Sequence, residues 1–291
     1  MNNMNVSPFP ENVSSLWIEN MIYGLSGLSI KARNALFCDS SPFQKVEVFD
    51  TYSFGNVLCL GGNIITTELE ETYHEMMVHP AMHMHASPKE ICCIGGGDGS
   101  CLKEILKHSS VEKVVIVEID QLVQETINRY FPKFAEGFGD PRTELVFDDG
   151  YNFLSSNERS FDIIFVDSYD PGGPVQSLET SDFHRIVSQR LKPGGIAVFQ
   201  TDSPLIRSEL ITTTIRDVSP FFSKSKPYIC SIRSFPAGIC SFLACADQPE
   251  TLERFDRKRY NDIAPLCTYY NDDVHIGAFL LPENLRRIVN S

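Results

Sequence analysis

The 291-residue sequence lacks any apolar run long enough to span a bilayer, and residues 1–11 contain neither a basic start nor an apolar core. These absences argue against a transmembrane helix and against a signal peptide. The chain contains nine cysteines but no Cys-x-x-Cys pair. Several of the cysteines lie inside apolar strand patterns: Cys59, Cys92, Cys93, Cys240 and Cys245. The odd number and these positions favour reduced core thiols, and we expect a cytoplasmic protein.

Positive charge is scarce, because 25 Lys and Arg residues face 38 Asp and Glu residues and the net charge is −13. A protein that binds nucleic acid neutralises phosphates with Lys and Arg, so this balance argues against a nucleic-acid partner. The same balance is compatible with a cationic small molecule as ligand.

Several motifs of enzyme active sites are also missing. The sequence contains neither a Walker loop nor the Gly-x-Ser-x-Gly elbow of serine hydrolases. His74 and His79 are five residues apart, whereas zinc-binding histidines on one helical face are four apart. His79 and His83 have that spacing, but Pro80 lies between them. We therefore predict no metal site and no cofactor.

The stretch from Ile91 to Ser100 contains the most informative pattern. Four apolar residues lead into Gly95-Gly-Gly-Asp-Gly99, and residues 101–107 follow with helical spacing. This order predicts a buried strand, a tight turn and the start of a helix, where free backbone N–H groups can approach a ligand. The glycines do not follow the Gly-x-Gly-x-x-Gly spacing of dehydrogenases. They are typical of the nucleoside loop in folds of the AdoMet-methyltransferase type, although a purely structural turn is the alternative.

From residue 90 onward, short apolar runs alternate with helical repeats. Predicted strands cover residues 90–94, 113–118, 144–147, 161–167 and 195–200. Predicted helices cover residues 101–108, 121–130, 150–155, 181–191 and 208–218. This rhythm predicts an α/β fold with a parallel sheet between two layers of helices. An antiparallel strand pair is predicted at 226–231 and 239–246.

The residues before this region follow a different pattern. Short alternating runs with polar turns, between about residues 17 and 67, predict a small antiparallel β-domain made of hairpins. A helical pattern at 68–84 follows, with a bend or restart at Pro80. We therefore divide the chain into a disordered leader (1–12), an N-terminal β-domain (13–72) and a Rossmann-like catalytic domain (73–291).

Acidic residues follow four strands of the predicted sheet at the point where each strand ends. They are Asp98, Glu118 with Asp120, Asp148 with Asp149, and Asp167 with Asp170. One acid at the end of the second strand is expected, because it holds ribose hydroxyls. A single acid at another end is usually a helix cap, but acids at four neighbouring ends form a negative crevice that favours a cationic ligand. Tyr73 and His74 either face this crevice or lie on a helix surface.

Together these motifs resemble the polyamine aminopropyltransferases, the spermidine synthase family, from about residue 17 to the C-terminus. The resemblance rests on Ser41-Pro-Phe-Gln44, Tyr73-His-Glu75, Gly95-Gly-Gly-Asp-Gly99, Val117-Glu-Ile-Asp120, Asp149-Gly150, Asp167-Ser-Tyr-Asp-Pro-Gly-Gly-Pro174, Gln200 and Tyr269-Tyr-Asn-Asp-Asp-Val-His275. It implies a homodimer or tetramer and transfer of an aminopropyl group from decarboxylated S-adenosylmethionine, a co-substrate rather than a cofactor. The acceptor is usually the diamine putrescine, and the products are spermidine and methylthioadenosine.

The resemblance also implies roles for residues at matching positions, with Asp167 as the catalytic base. The donor would be held by Gln44, Gly95, Gly97, Asp98, Glu118, Asp149, Gly150 and Pro174. The acceptor would be held by Tyr73, His74, Asp98, Asp167, Ser168, Tyr169, Asp170 and Gln200. The sulfonium carbon of the donor is already activated, so the reaction needs a deprotonated amine held in line rather than a metal or an acid.

Three departures from the family pattern leave the identity of the acceptor open. Gly61 and Ile65 replace the acid and the amide of a Leu-Asp-Gly-x-x-Gln motif, the segment 67–73 is one residue short, and Phe235 replaces a tyrosine. One alternative is an amine N-methyltransferase that uses AdoMet, although Asp98 would repel the carboxylate of that donor. A non-catalytic nucleoside-binding relative is the other, and the presence of Asp167 and Asp170 argues against it.

Overall fold

The computed structural model of the chain describes residues 14, 16–22, 26–167 and 176–290. The expected leader, residues 1–12, lies outside the described residues, and so do the predicted site residues Ser168, Tyr169, Asp170 and Pro174. Within the described part of the chain, no helix has the length and apolarity needed to cross a membrane.

The N-terminal residues form a five-stranded antiparallel sheet in which each strand pairs with the next along the chain. Its strands are β1 (Trp17–Ile22), β2 (Ser26–Ser40), β3 (Lys45–Thr51), β4 (Asn56–Leu60) and β5 (Asn63–Thr67). Val46 and Val48 alternate with more exposed residues along β3, which is the pattern of a strand with one buried face. The predicted hairpin domain is confirmed.

The second sheet has seven strands in the order β11-β12-β10-β9-β6-β7-β8. The strands are β6 (Glu90–Gly95), β7 (Lys113–Glu118), β8 (Thr143–Phe147), β9 (Phe161–Asp167), β10 (Leu191–Gln200), β11 (Lys224–Ser231) and β12 (Ile239–Ala246). The five strands from β10 to β8 are parallel, and β12 and β11 extend one edge as an antiparallel pair. Because β6 pairs with both β7 and β9, the chain order reverses beside β6, and such a reversal point is where α/β sheets bind ligands.

Helices cover both faces of this sheet, which confirms the predicted α/β class. They are α1 (Thr72–Met84), α2 (Ser100–Leu106), α3 (Gln121–Tyr130), α4 (Pro132–Ala135), α5 (Gly150–Ser156), α6 (Ser181–Gln189), α7 (Ser208–Val218), α8 (Arg257–Ile263), α9 (Asp272–Ala278) and α10 (Glu283–Val289). Short 3₁₀ helices cover Glu136–Gly139, Gln176–Glu179, Pro249–Glu253 and Ala264–Leu266. One apolar core joins α1 and α2 to the sheet, and a second joins α5, α6 and α7 to the opposite face.

Helix α1 begins later than predicted, and of the bend or restart predicted at Pro80 the structure excludes the restart. It begins at Thr72 rather than at residue 68, and it continues through Pro80 without a restart. Proline has no N–H to donate to the carbonyl of Met76, four residues earlier. The hydroxyl of Tyr228 donates to that carbonyl instead, at 3.1 Å. A partner from β11 therefore satisfies the group that the proline leaves free, and a distant residue of this kind is invisible in local sequence.

The boundary between α6 and β10 also differs from the prediction. The helix ends at Gln189, not 191, and β10 begins at Leu191 rather than at residue 195. Its pairing with β9 shifts register between Leu191 and Ile196. The Pro-Gly-Gly run thus lies in an irregular first part of the strand instead of a separate turn.

Glu75 of α1 accepts hydrogen bonds from the C-terminal region and holds it against this helix. Its carboxylate is fully buried and accepts hydrogen bonds from the backbone N–H (2.7 Å) and hydroxyl (2.8 Å) of Thr268, and from the N–H groups of Tyr269 (2.9 Å) and Tyr270 (2.7 Å). Four donors from one segment compensate for the cost of burying the charge. As expected from its apolar pattern, the segment from Tyr269 onward packs on the core, with Tyr270 buried.

We predict that Glu75→Gln lowers the free energy of unfolding by about 2–4 kcal/mol, because the new amide turns a donor toward buried N–H groups. Urea unfolding measured by circular dichroism checks this. Glu71→Gln is the matched control, since Glu71 is partly exposed and pairs with Lys103; it should change stability by less than about 1 kcal/mol. Equal effects of the two substitutions would contradict the structural role of Glu75.

Candidate active site

One cavity lies at the carboxyl ends of β6, β7 and β9 and extends to the N-terminal sheet. It brings together every predicted site residue that the structure describes: Gln44, Tyr73, His74, Gly95, Gly97, Asp98, Glu118, Asp149, Gly150, Asp167 and Gln200. Residues far apart in sequence meet here because the parallel strands all end at the same edge of the sheet.

The glycine turn after β6 is shaped around Glu118. The N–H of Gly97 donates to one carboxylate oxygen of Glu118 at 3.0 Å, and the N–H of Asp120 donates to the other at 2.8 Å. A Cβ atom on residue 97 would lie only 2.5 Å from that first oxygen. Glycine is therefore required at this position for the backbone to approach the carboxylate.

Glu118 is poised to change its charge near neutral pH. Burial raises the pKa of its carboxyl group to about 7, with the charges of Asp120 and Asp98 adding to the increase and the two backbone N–H donors opposing it. A ligand that donates hydrogen bonds to this carboxylate would favour the ionised form.

Asp120 links the two sheets at the edge of the cavity. One of its oxygens caps α3 by accepting from the N–H of Leu122 at 3.1 Å. The other accepts from the Ser41 hydroxyl at 2.7 Å and from the Gln44 side-chain amide at 3.1 Å. Val46 and Leu58 of the N-terminal sheet belong to an apolar cluster with α3 and α4. The position of Gln44 in the cavity thus depends on Asp120.

Asp149 combines the cap role with a place in the cavity wall. One oxygen caps α5 through the N–H of Asn152 at 3.1 Å, and the other accepts from the hydroxyl of Ser177 at 3.0 Å. A Cβ on Gly150 would lie 2.2 Å from a methyl group of Ile94, so only glycine allows the start of α5 to lie this close to β6. A tightly packed helix N-terminus therefore faces the cavity.

Helix α1 turns Tyr73 and His74 toward the crevice, which decides between the two interpretations of these residues. The His74 Nε2 atom lies 3.5 Å from an oxygen of Asp98, and the other oxygen accepts from the N–H of Ser100 at 3.0 Å. Burial opposes the charged form of His74, but the hydrogen bond and charge of Asp98 raise its pKa overall. Burial likewise opposes ionisation of Asp98, yet His74 and Ser100 lower the pKa of its carboxyl group.

Asp167 ends β9 and is held by two neutral donors. The Tyr73 hydroxyl donates to one oxygen at 2.5 Å, and the Cys101 thiol donates to the other at 3.1 Å. Burial raises the pKa of the Asp167 carboxyl group and the charge of Asp98 adds to this, while His74 and the two donors lower it. Cys101 was not among the predicted site residues, although its position two residues after Gly99, at the start of α2, was an available signal.

Negative charge dominates the cavity. The described residues that line it include five carboxylates, on Asp98, Glu118, Asp148, Asp149 and Asp167, and neither a lysine nor an arginine. Neighbouring carboxylates in a buried site repel one another, so the arrangement favours a cationic ligand.

Another part of the cavity wall is apolar and contains two of the departures from the family pattern. Ile65 and Phe235 both line the cavity, with Leu60, Ile64 and Ile232 beside them. The segment that carries Phe235 is fixed by Glu70, whose carboxylate accepts from the N–H groups of Arg233 (2.7 Å) and Ser234 (2.8 Å). The wall is thus rigidly held and offers few polar partners to a ligand.

Comparison with protein-family models gives two matches. Residues 70–255 match the spermine/spermidine synthase domain, and residues 16–68 match the spermidine synthase tetramerisation domain.

Curated proteins and solved structures give the same result over nearly the full length. The polyamine aminopropyltransferase of Thermoanaerobacter sp. (strain X514) is 38% identical over 264 residues, which cover 89% of this chain and 93% of the relative. The enzyme of that name from Bacillus subtilis (strain 168) is 37% identical, over 93% of this chain and 98% of the relative. A crystal structure of a spermidine synthase in complex with the transition state analogue AdoDATO superposes with a TM-score of 0.91 at 31% identity, covering 97% of this chain and 98% of that chain. The spermidine synthase of Thermotoga maritima gives 0.90 at 30% identity, covering 99% of both chains.

Proposed function

Because this chain belongs to the spermine/spermidine synthase family and is a polyamine aminopropyltransferase, we propose that it transfers the aminopropyl group of decarboxylated S-adenosylmethionine to putrescine. The products are spermidine and methylthioadenosine. The observation that carries the proposal is the pair of carboxylates on the buried Asp98 and the half-buried Asp167, in a cavity whose described lining contains neither lysine nor arginine. Both the tail of this donor and a diamine acceptor are cationic, so they fit that charge.

The donor's nucleoside half fits the part of the cavity around Glu118. A ribose diol donates to the carboxylate of Glu118, whose two oxygens already face backbone N–H groups. Gln44, Gly95, Gly97, Asp149 and Gly150 complete this part of the binding site. Pro174, assigned to the donor by the resemblance, lies outside the described residues. The donor's ammonium pairs with Asp98, which His74 keeps ionised.

The chemical step requires a neutral amine beside Asp167. The amine nitrogen attacks the carbon bound to sulfur, a C–N bond forms, the C–S bond breaks, and its electron pair stays on sulfur. The attacking nitrogen loses one proton, which Asp167 accepts. Tyr73 and Cys101 fix the orientation of the carboxylate, so geometry contributes much of the rate. The leaving group is a neutral thioether, and the proposed reaction needs no metal or cofactor.

The residues around Asp167 suit a diamine acceptor, although they offer few polar contacts to the atoms between its two amino groups. Tyr73, His74 and Gln200 line the cavity with Asp167, and Ser168, Tyr169 and Asp170 belong to the proposed acceptor set. The apolar side chains of Ile65 and Phe235 suit the methylene groups of putrescine or of a longer diamine. An AdoMet-dependent methyltransferase is the less favoured alternative, since Asp98 would face the carboxylate of its donor.

We also propose that the enzyme is a homo-oligomer, a dimer or a tetramer. The family model that matches residues 16–68 is described as a tetramerisation domain. Trp17, Met21 and Leu36 of β1 and β2 are exposed large apolar residues, with 53%, 41% and 38% of their surfaces accessible. Burying them against a second copy would remove this apolar surface from water.

We predict that Asp167→Asn lowers kcat by about 10²–10⁴-fold, the usual contribution of a positioned base, because an amide cannot accept the proton. Affinity for methylthioadenosine, measured by calorimetry, should change only a few-fold. Asp182→Asn is the control, because Asp182 is an exposed residue of α6 that pairs with Arg185; its kcat should match the wild type. If Asp167→Asn keeps more than about a tenth of the wild-type rate, the base is a different group.

We predict that affinity for methylthioadenosine depends on the charge of Glu118. Ribose hydroxyls donate to the ionised carboxylate, so affinity should rise with pH through about 7, the pKa of this group, and level off above it. Below this pKa the loss should reach about tenfold per pH unit. The Glu118→Gln variant should bind methylthioadenosine weakly, with an affinity that does not change with pH. Glu144→Gln is the control, because Glu144 pairs with Lys113; this variant should keep the pH dependence of the wild type. A wild-type affinity that is constant between about pH 6 and pH 8 would contradict the assignment.

A further inference from the structure

Two buried thiols lie next to the carboxylate of Asp167. The Sγ atoms of Cys93 and Cys101 and a carboxylate oxygen of Asp167 all lie within 4.8 Å of one another. Cys93 is on β6, Cys101 is in the first turn of α2, and Asp167 ends β9. Three rigid elements thus converge on one point, and both cysteines are fully buried as free thiols.

The cluster adjoins the cavity through Asp167, which lines it, whereas the two cysteines lie behind the backbone of Gly96 and do not line it. A Cβ atom on residue 96 would lie 3.0 Å from the Sγ atom of Cys93 and 3.9 Å from an oxygen of Asp167. An ion bound to the Asp167 carboxylate therefore lies close to both sulfur atoms.

We propose that Cys93, Cys101 and Asp167 form an inhibitory binding site for a thiophilic divalent cation of the Zn²⁺ or Cd²⁺ class. The binding site itself is independent of the proposed function, and only its inhibitory effect rests on that function. The site is unrelated to the histidines of α1, and the ion acts as an inhibitor rather than as a cofactor.

The chemistry of the ligands selects this class of cation. Thiolates prefer Zn²⁺, Cd²⁺ and related ions, whereas Mg²⁺ and Ca²⁺ prefer oxygen ligands. Two thiolates and one carboxylate leave the fourth tetrahedral position of zinc open to water, at bond lengths of about 2.3 Å to sulfur and about 2.0–2.2 Å to oxygen. On binding, each S–H bond gives up its proton to solvent and the sulfur lone pair is donated to the ion. Two protons are therefore released for each ion bound.

A bound ion would interfere mainly with the diamine acceptor. A bound ion occupies the oxygen of Asp167 that the Cys101 thiol now contacts, so the carboxylate cannot accept a proton from the amine. Its positive charge also repels a cationic acceptor. Glu118, which faces the nucleoside half of the donor, does not belong to the cluster. Inhibition should therefore act more strongly against the diamine than against the donor, whose cationic tail the ion also repels.

A binding experiment tests the site without any reference to activity. Reduced, chelator-free protein is titrated with Cd²⁺, and the ultraviolet thiolate-to-metal absorption band is followed together with proton release. We expect one ion per chain with release of two protons. Cys93→Ser, Cys101→Ser and Asp167→Asn should each weaken this binding by at least about tenfold, since each removes a ligand.

Cys92→Ser is the matched control, because Cys92 is equally buried beside Cys93 but belongs to the core on the opposite face of the sheet. It should bind Cd²⁺ as the wild type does. Thermal unfolding identifies any variant that does not fold. If the two cysteine variants do not fold, Asp167→Asn still tests the site, because it removes a ligand without changing a core thiol. Wild-type protein without the absorption band, or cysteine variants that retain it at full affinity, would overturn the proposal.

A kinetic experiment tests the inhibition. Zn²⁺ should raise the apparent KM for the diamine more than that for decarboxylated S-adenosylmethionine. The inhibition constant of Cys93→Ser, taken against its own uninhibited rate, should rise at least about tenfold. Inhibition that competes with the donor alone, or that persists unchanged in Cys93→Ser, would refute the inhibitory role. If the wild type transfers no aminopropyl group at all, the proposed function fails, while the Cd²⁺ titration still decides whether the site exists.

Discussion

The structure depends on one electrostatic constraint, the burial of several carboxylates at a single edge of a parallel sheet. Parallel strands present their carboxyl ends together, and here Asp98, Glu118 and Asp167 follow three adjacent strands. Burial and mutual repulsion raise the pKa of both Glu118 and Asp167. Only Asp98 is kept below its usual range, through His74. The site thus favours cationic ligands, which would relieve the repulsion.

The surrounding elements hold this charge in place with neutral donors. The backbone N–H of Gly97 in the glycine turn donates to Glu118. The hydroxyl of Tyr73 and the thiol of Cys101, at the start of α2, both donate to Asp167. The N-terminal sheet takes part through Ser41 and Gln44, which donate to Asp120. The proposed reaction at a pre-activated sulfonium carbon depends on such positioning more than on an acid, a metal or an oxyanion hole.

The sequence predicted the features that follow from strand order, and it missed those that depend on tertiary partners. Acids after β6, β7 and β9 lie in one cavity because the fold class alone brings strand ends together. A bend or a restart of α1 at Pro80 could not be decided from the sequence, because the partner of the Met76 carbonyl is Tyr228, about 150 positions away. Cys101 was overlooked for a similar reason, since only the packed structure brings its thiol to Asp167. Asp149 shows that a helix cap and a place in the site wall can coincide.

Donor choice tests the proposed function most directly, because we propose that Asp98 distinguishes the lone ammonium of decarboxylated S-adenosylmethionine from the amino acid group of AdoMet. Two unit charges about 4 Å apart interact by roughly 4 kcal/mol at an effective dielectric constant near 20. Even half of this energy gives more than tenfold discrimination. Purified enzyme should be incubated with diamines and either donor, and the products identified by mass spectrometry. The wild type should transfer aminopropyl groups from decarboxylated S-adenosylmethionine and bind AdoMet poorly, and Asp98→Asn should narrow this difference. Methylation of amines from AdoMet by the wild type at a comparable rate would contradict the account.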